Sequence, residues 1–178
     1  MNHPQNIQDQ VETLIIFSHG KESGPSGQKI KTLSEIGQNF GAQVLSIDYT
    51  DLPNVSNRIN RLLQTNLPSH KRLILVGSSM GAYVSIIASR QLQPSGIFLM
   101  APAVGITDYP ELMPIPHKCL IEAVMDWQDE IVNVTSVFEW ALQHNANLHL
   151  IPADHRLSAC HHQLNYYFTD FLQTIFKS

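Results

Sequence analysis

Two cysteines among 178 residues, Cys119 and Cys160, are too few for a disulfide framework and fit no zinc-ligand spacing. Cys119 falls in an apolar run and reads as a buried thiol; Cys160 falls on an expected helix. Charge is also scarce. Charged residues make up 15% of the chain, the net charge is −4, and no basic cluster is present. The chain therefore lacks the electrostatic footprint of a nucleic-acid or anionic-membrane binder. No apolar run reaches the roughly 20 residues that span a bilayer. The polar N-terminus, Met1 to Gln10, lacks the basic start and apolar centre of a secretory signal. A cytoplasmic location, with no membrane partner, is the expectation. Internal repeats, low-complexity segments and linkers are missing too. The glycines between Gly20 and Gly27 fit neither common phosphate-binding fingerprint. The nine histidines are scattered, and the adjacent pair His161 and His162 would point apart on a helix. Neither a cofactor nor a metal is expected.

What the chain does have is a hydrophobic fraction of 43%, enough for a substantial core in a protein of this length. Apolar runs read as buried strands at Thr13–Phe17, Val44–Ile47, Leu73–Val76, Gly96–Met100, Cys119–Val124 and Leu148–Ile151. Between them lie segments with helical spacing. Ile30, Leu33, Ile36 and Phe40 form one stripe, stopped at Gly41; Val55, Ile59, Leu62 and Leu63 form a second, ended by Pro68. Further helices are expected over Ala82–Arg90 and Ser136–His144, with Ser136 and Glu139 spaced as a capping box. The last helix is expected to carry Leu157, Cys160, Leu164, Phe168, Phe171 and Ile175 on one face. Strands alternating with helices predict an α/β fold: a three-layer sandwich of about six mainly parallel strands with helices on both faces. One domain over residues 1–178 is expected, with residues 1–11 a flexible tail. Sites in such sheets lie at the carboxyl ends of the strands.

The most informative stretch is Arg72 to Arg90. A buried-strand run is followed by Gly77-Ser78-Ser79-Met80-Gly81 and then by a helix, the strand–turn–helix setting of a Gly-x-Ser-x-Gly nucleophile elbow. Glycine is needed on either side of the serine, because side chains there would collide with the neighbouring strand and helix. A serine hydroxyl needs an imidazole to take its proton. Among the histidines, His155 alone lies just past the end of the sixth strand and also follows Ser79 in the chain. An acid to orient that imidazole should come from the loop after the fifth strand, where Asp126, Asp129 and Glu130 all qualify by position. Oxyanion donors are expected from the amide of Met80 and from the loop near Gly20 and Lys21.

These residues resemble the α/β-hydrolase superfamily, in particular compact bacterial esterase-like members without a lid domain. The resemblance runs from Leu14 onward and rests on His19-Gly20, Gly77–Gly81, Asp129-Glu130-Ile131-Val132 and Asp154–Leu157. It implies Asp129 rather than Asp126 as the acid, because the family's acid commonly stands three residues before a valine or similar residue. It implies Lys21 as the second oxyanion amide. Departures are Asp126 where glycine is frequent and Asn133 where proline is frequent. The implied activity is a serine hydrolase acting on a small carboxylic ester or thioester; the alternative is a binding or scaffold protein that keeps the fold without turnover. The interval Ala101 to Pro116 is too short and too rich in proline for a multi-helix cap, so an open cleft and short acyl groups are expected.

Overall fold

Every apolar run outlined above becomes a strand, and all six strands lie in one parallel sheet. The computed structural model describes residues 10–177. In chain order the elements are β1 (Val11–Ser18), α1 (Gln28–Asn39), β2 (Gln43–Ile47), α2 (Val55–Gln64), β3 (His70–Ser78), α3 (Met80–Leu92), β4 (Gly96–Met100), β5 (Leu120–Asp126), α4 (Val134–His144), β6 (Asn147–Ile151) and α5 (His161–Lys177). The sheet order is β2-β1-β3-β4-β5-β6. Most of the expected tail, residues 1–9, lies outside the described residues; Val11 already belongs to β1 and pairs with His70.

Alternation along the strands sorts the core into two layers. Leu14, Ile16, Leu73, Leu75, Ile97 and Leu99 face α2, α3 and α4. Their neighbours Ile15, Phe17, Ile74, Val76 and Phe98 face α1 and α5. Successive strand side chains point to opposite faces, so a strand buried on both sides must be apolar throughout. Burying each large apolar side chain contributes about 1.5–3 kcal/mol. Helix α3 lies closest to the sheet centre: residues 80–86 are all buried, with alanine, glycine and serine letting the backbone approach. It is apolar nearly all round, as a fully buried helix must be.

Two expectations are corrected. Helix α4 starts at Val134, and its cap is Asn133, whose side chain accepts from the Ser136 amide at 3.1 Å. Ser136 is thus inside the helix and cannot form a capping box with Glu139. The last helix starts at His161, not at Leu157. Leu157 adopts a left-handed conformation with φ of 53°, so the backbone turns there before the helix begins. Leu157 and Cys160 are nevertheless buried on the same core face as Leu164 and Phe168, which is why their spacing mimicked a longer helix.

Strand β1 sits between β2 and β3, so the loops leaving β1 and β3 depart in opposite directions. Such a switch point opens a crevice beyond the carboxyl ends of the two strands. His19-Gly20 follows β1 and Ser79 follows β3, both at that crevice.

Candidate functional site

Ser79 is held in a conformation few residues adopt, with φ of 52° and ψ of −118°. Its amide donates to the carbonyl of Met100 at 2.8 Å, and its carbonyl accepts from the amides of Ala82 and Tyr83 at 3.0 and 3.2 Å. The turn is possible only because its flanks are glycine. A Cβ on Gly77 would stand 2.5 Å from the Ala82 Cα, and one on Gly81 would stand 2.0 Å from the Ser18 carbonyl oxygen. Strand and helix backbones occupy that space, so neither neighbour can yield cheaply. Ala101, at the end of β4 beside this turn, is strained likewise with φ of 44°.

Two other loops reach Ser79. His155, in the loop after β6, brings Nε2 to 3.0 Å from Ser79 Oγ. Its Nδ1 lies 2.7 Å from Asp129 Oδ2. A carboxylate can only accept, so Nδ1 carries the proton and Nε2 is left as the acceptor for the serine hydroxyl. Asp129 Oδ1 accepts from the amides of Ile131 and Val132, each at 2.8 Å. The carboxylate is fully enclosed, and both its oxygens are engaged. Of the acids open in the sequence, then, Asp129 is the one that meets His155. Asp126 ends β5 and accepts from the Ala153 amide at 3.1 Å, tying the acid-bearing loop to the histidine-bearing loop from behind. Glu130 is exposed.

The histidine loop is fastened by further contacts. The Arg156 carbonyl accepts from Lys29 Nζ on α1. Asp154 accepts from the Ser158 amide at 2.8 Å, and that bond holds its carboxyl below the usual range. Burial pushes the Lys29 ammonium down. Arg156 pairs with Glu22 at 2.9 Å, linking this loop to the one after β1, although both partners are largely exposed.

Gly20 brings the β1 loop against the serine: a Cβ built there would lie 3.6 Å from the Ser79 Cβ. Lys21 follows it on the surface, and Met80 opens α3 directly after Ser79. Among the described residues, neither the Lys21 nor the Met80 amide donates to a protein acceptor. The first amides of a helix carry its positive end, which favours a developing anion at Met80.

Sequence reasoning treated His19 as a strand ending and missed Arg58. His19 is 1% exposed, with Nδ1 2.7 Å from the Gly20 carbonyl and Nε2 accepting from the Tyr49 amide at 2.9 Å. Those two bonds define a neutral imidazole, and burial depresses its pKa. Tyr49 also shares a 3.0 Å hydrogen bond with Ser18, and burial pushes its phenol up to about 12. Arg58 is 1% exposed on the inner face of α2. Its place was legible: position 58 falls in the same helical stripe as Val55, Ile59 and Leu62.

The segment between β4 and β5 contains no helix. It is pinned down onto α3 and α4. Arg90 clasps Glu111 at 2.7 and 2.6 Å, the Tyr83 hydroxyl accepts from the Glu111 amide at 2.8 Å, and Trp140 Nε1 donates to the Pro114 carbonyl at 2.6 Å. Leu112 and Ile115 are left 51% and 62% exposed.

No protein-family model matches the sequence, and no curated protein is significantly similar to it. Solved structures are similar. A protein of Xanthomonas campestris pv. campestris assigned to the alpha/beta hydrolase superfamily superposes with a TM-score of 0.80 at 29% identity, covering 92% of this chain and 99% of that one. Est1E from Butyrivibrio proteoclasticus gives 0.79 at 14% identity over 98% and 92% of the two chains. An α/β serine hydrolase without a lid from Xanthomonas campestris gives 0.69 at 20% identity over 96% and 85%. At 14% and 20% the likeness is one of fold. The six parallel strands and five helices of the described residues, together with these structural neighbours, show the α/β-hydrolase fold, and the chain is similar to members of that superfamily.

Proposed function

We propose that the chain is a serine hydrolase that cleaves small carboxylic esters or thioesters. The observation that carries the reading is the relay Ser79–His155–Asp129, with links of 3.0 and 2.7 Å, set on a strained turn at the switch point of the sheet. Strain of this kind persists only where the surroundings enforce it, and it gathers at functional sites. The structural neighbours, which include esterases, support a hydrolase.

In this reading His155 Nε2 takes the Ser79 proton as Oγ attacks the acyl carbon. The imidazolium is steadied by Asp129 through Nδ1. The carbonyl oxygen of the substrate becomes an oxyanion facing the amides of Met80 and Lys21. His155 then returns the proton to the departing alkoxide or thiolate, leaving an acyl-serine. Water, activated by the same imidazole, attacks the acyl carbon and regenerates Ser79.

The short acyl preference follows from the pinned segment between β4 and β5. A cleft without a helical cover buries few acyl carbons, and each buried methylene contributes only about 0.8 kcal/mol. The reading is tested by labelling with a fluorophosphonate and by turnover of p-nitrophenyl esters and acyl thioesters. Stoichiometric modification at Ser79, with turnover of acetyl or butyryl esters, is the expected result. Absence of labelling, or labelling elsewhere, would remove it.

A further inference from the structure

Arg58 is enclosed, yet no carboxylate lies within ion-pairing distance of it among the described residues. Burying a cation without an anion is costly unless its donors are fully used. A leucine at position 58 would complete the apolar stripe of α2 at no such cost. The guanidinium must therefore be judged by what it touches.

Its Nε donates to the Leu52 carbonyl at 2.7 Å. One terminal nitrogen, NH1, donates to the carbonyls of both His19 and Gly20, at 3.1 and 3.2 Å. The Gly20 carbonyl receives His19 Nδ1 as well, at 2.7 Å, and Ser23 Oγ more loosely at 3.4 Å. Donors from three directions thus hold one carbonyl oxygen. Few backbone carbonyls need that much; two lone pairs are usually satisfied by one or two donors.

The consequence lies on the other side of the peptide. The Gly20–Lys21 bond is trans, as are all bonds of the described chain. In a planar trans peptide the N–H points opposite to the C=O. Turning the Gly20 carbonyl inward onto Arg58 and His19 turns the Lys21 N–H outward, away from them and without a protein acceptor. Glycine at position 20 lets this peptide lie beside Ser79. We infer that Arg58, acting with neutral His19, is a positioning residue that locks the Gly20–Lys21 peptide so that the Lys21 amide is aimed at the oxyanion. This rests on the hydrolase reading above. A planar guanidinium suits the task because its fork reaches the Leu52 loop and the β1 loop at once, which an ammonium cannot do.

The test compares wild type, Arg58→Met and Arg58→Lys as full-length protein, with p-nitrophenyl acetate and the matching thionoester as substrates. A thionoester forms a larger, weakly hydrogen-bonded sulfur anion, so the ratio of oxoester to thionoester kcat reads how well the oxyanion donors are aimed. Removing one oxyanion donor outright costs about 10²–10³ in kcat. For a donor left in place but released, Arg58→Met is expected to lower oxoester kcat about 10–100-fold with KM within about twofold, and to lower the oxo-to-thiono ratio by a similar factor. Arg58→Lys should fall between. Unchanged kcat, or a lower kcat with an unmoved ratio, overturns the inference while leaving the serine mechanism standing. If Arg58→Met fails to fold, the ratio in Arg58→Lys decides. A wild type that neither labels at Ser79 nor turns over any ester ends both the hydrolase reading and this inference.

Discussion

The two sides of the site are built by different means. On the β3 side, Ser79 is positioned by backbone: a strained turn, two glycines and a sheet partner that takes its amide. On the β5 and β6 side, Asp129 and His155 stand on loops and are positioned by side-chain hydrogen bonds, to the amides of Ile131 and Val132 and to each other. The serine side is buried among β1, β3, β4 and α3. The other side borders the solvent, with Trp127 and Ile131 54% and 65% exposed. A backbone device tolerates almost no change in its flanks, but its distant partner, the Met100 carbonyl, is a main-chain atom that any residue supplies. A side-chain device survives changes around it but fails when one donor or acceptor is altered.

The first way to break the symmetry of this comparison is to remove the serine hydroxyl, the proposed nucleophile. Ser79→Ala should lower kcat by about 10⁴-fold or more, with the oxyanion donors supplying the remainder. Thermal stability should be unchanged or slightly raised, since alanine trims a half-exposed side chain. Steady-state hydrolysis at wild-type rate in this variant would exclude the serine as nucleophile.

On the side-chain face, Asp129→Asn should cost about 10⁴ in kcat, because an amide favours the wrong imidazole tautomer. Asp126→Asn should cost about tenfold or less, as it loosens only the tie to Ala153. Kinetics that reverse this order would move the orienting role to Asp126.

The backbone face predicts a different kind of loss. Gly81→Ala must push a methyl against the Ser18 carbonyl, and should destabilise the protein by several kcal/mol, in the range of severe overpacking. A chemical denaturation midpoint matching wild type would show that the elbow is looser than its contacts imply.

A smaller effect should appear with pH. Burial holds the His19 pKa below its ordinary 6.5, and the part-buried His144 is shifted the same way by its burial. The unfolded chain therefore binds more protons than the folded one as pH falls below about 6.5, so this contribution is full above that pH and is lost progressively as pH falls through the folded value. Thermal midpoints should decline from pH 8 to pH 5, and His19→Gln should show a shallower decline from a lower start. An equally steep decline in that variant would assign the effect to other groups.

The smallest change is expected from thiol reagents. Burial pushes the Cys119 thiol up to about 11, leaving little thiolate at neutral pH. Iodoacetamide should leave ester hydrolysis nearly untouched, and mass spectrometry should find Cys119 mostly unmodified in the folded protein.

The sequence by itself determined the layers, the strand count and the elbow. Buried strands must be continuous apolar runs, helices must carry a stripe, and a Gly-x-Ser-x-Gly turn between them is written within five residues, although the Ser18 and Met100 carbonyls that enclose it come from β1 and β4. It also determined that His155 and an acidic loop end their strands at the same edge of the sheet. Local spacing could not tell a helix from the turns leading into it, so Leu157 and Cys160 looked helical because they share the core face of α5. Which acid meets the histidine was decided by tertiary structure. Asp126 lies on β5 and points to Ala153, while Asp129 is folded back by its own amide contacts until it reaches His155, 26 residues away. Arg58 shows the same limit most sharply. Its stripe placed it indoors, but only the packing of α2 against the β1 loop, 38 residues earlier in the chain, brought its guanidinium to the Gly20 carbonyl. Hydrogen bonds across such distances depend on how whole elements dock, and no local pattern of residues records that.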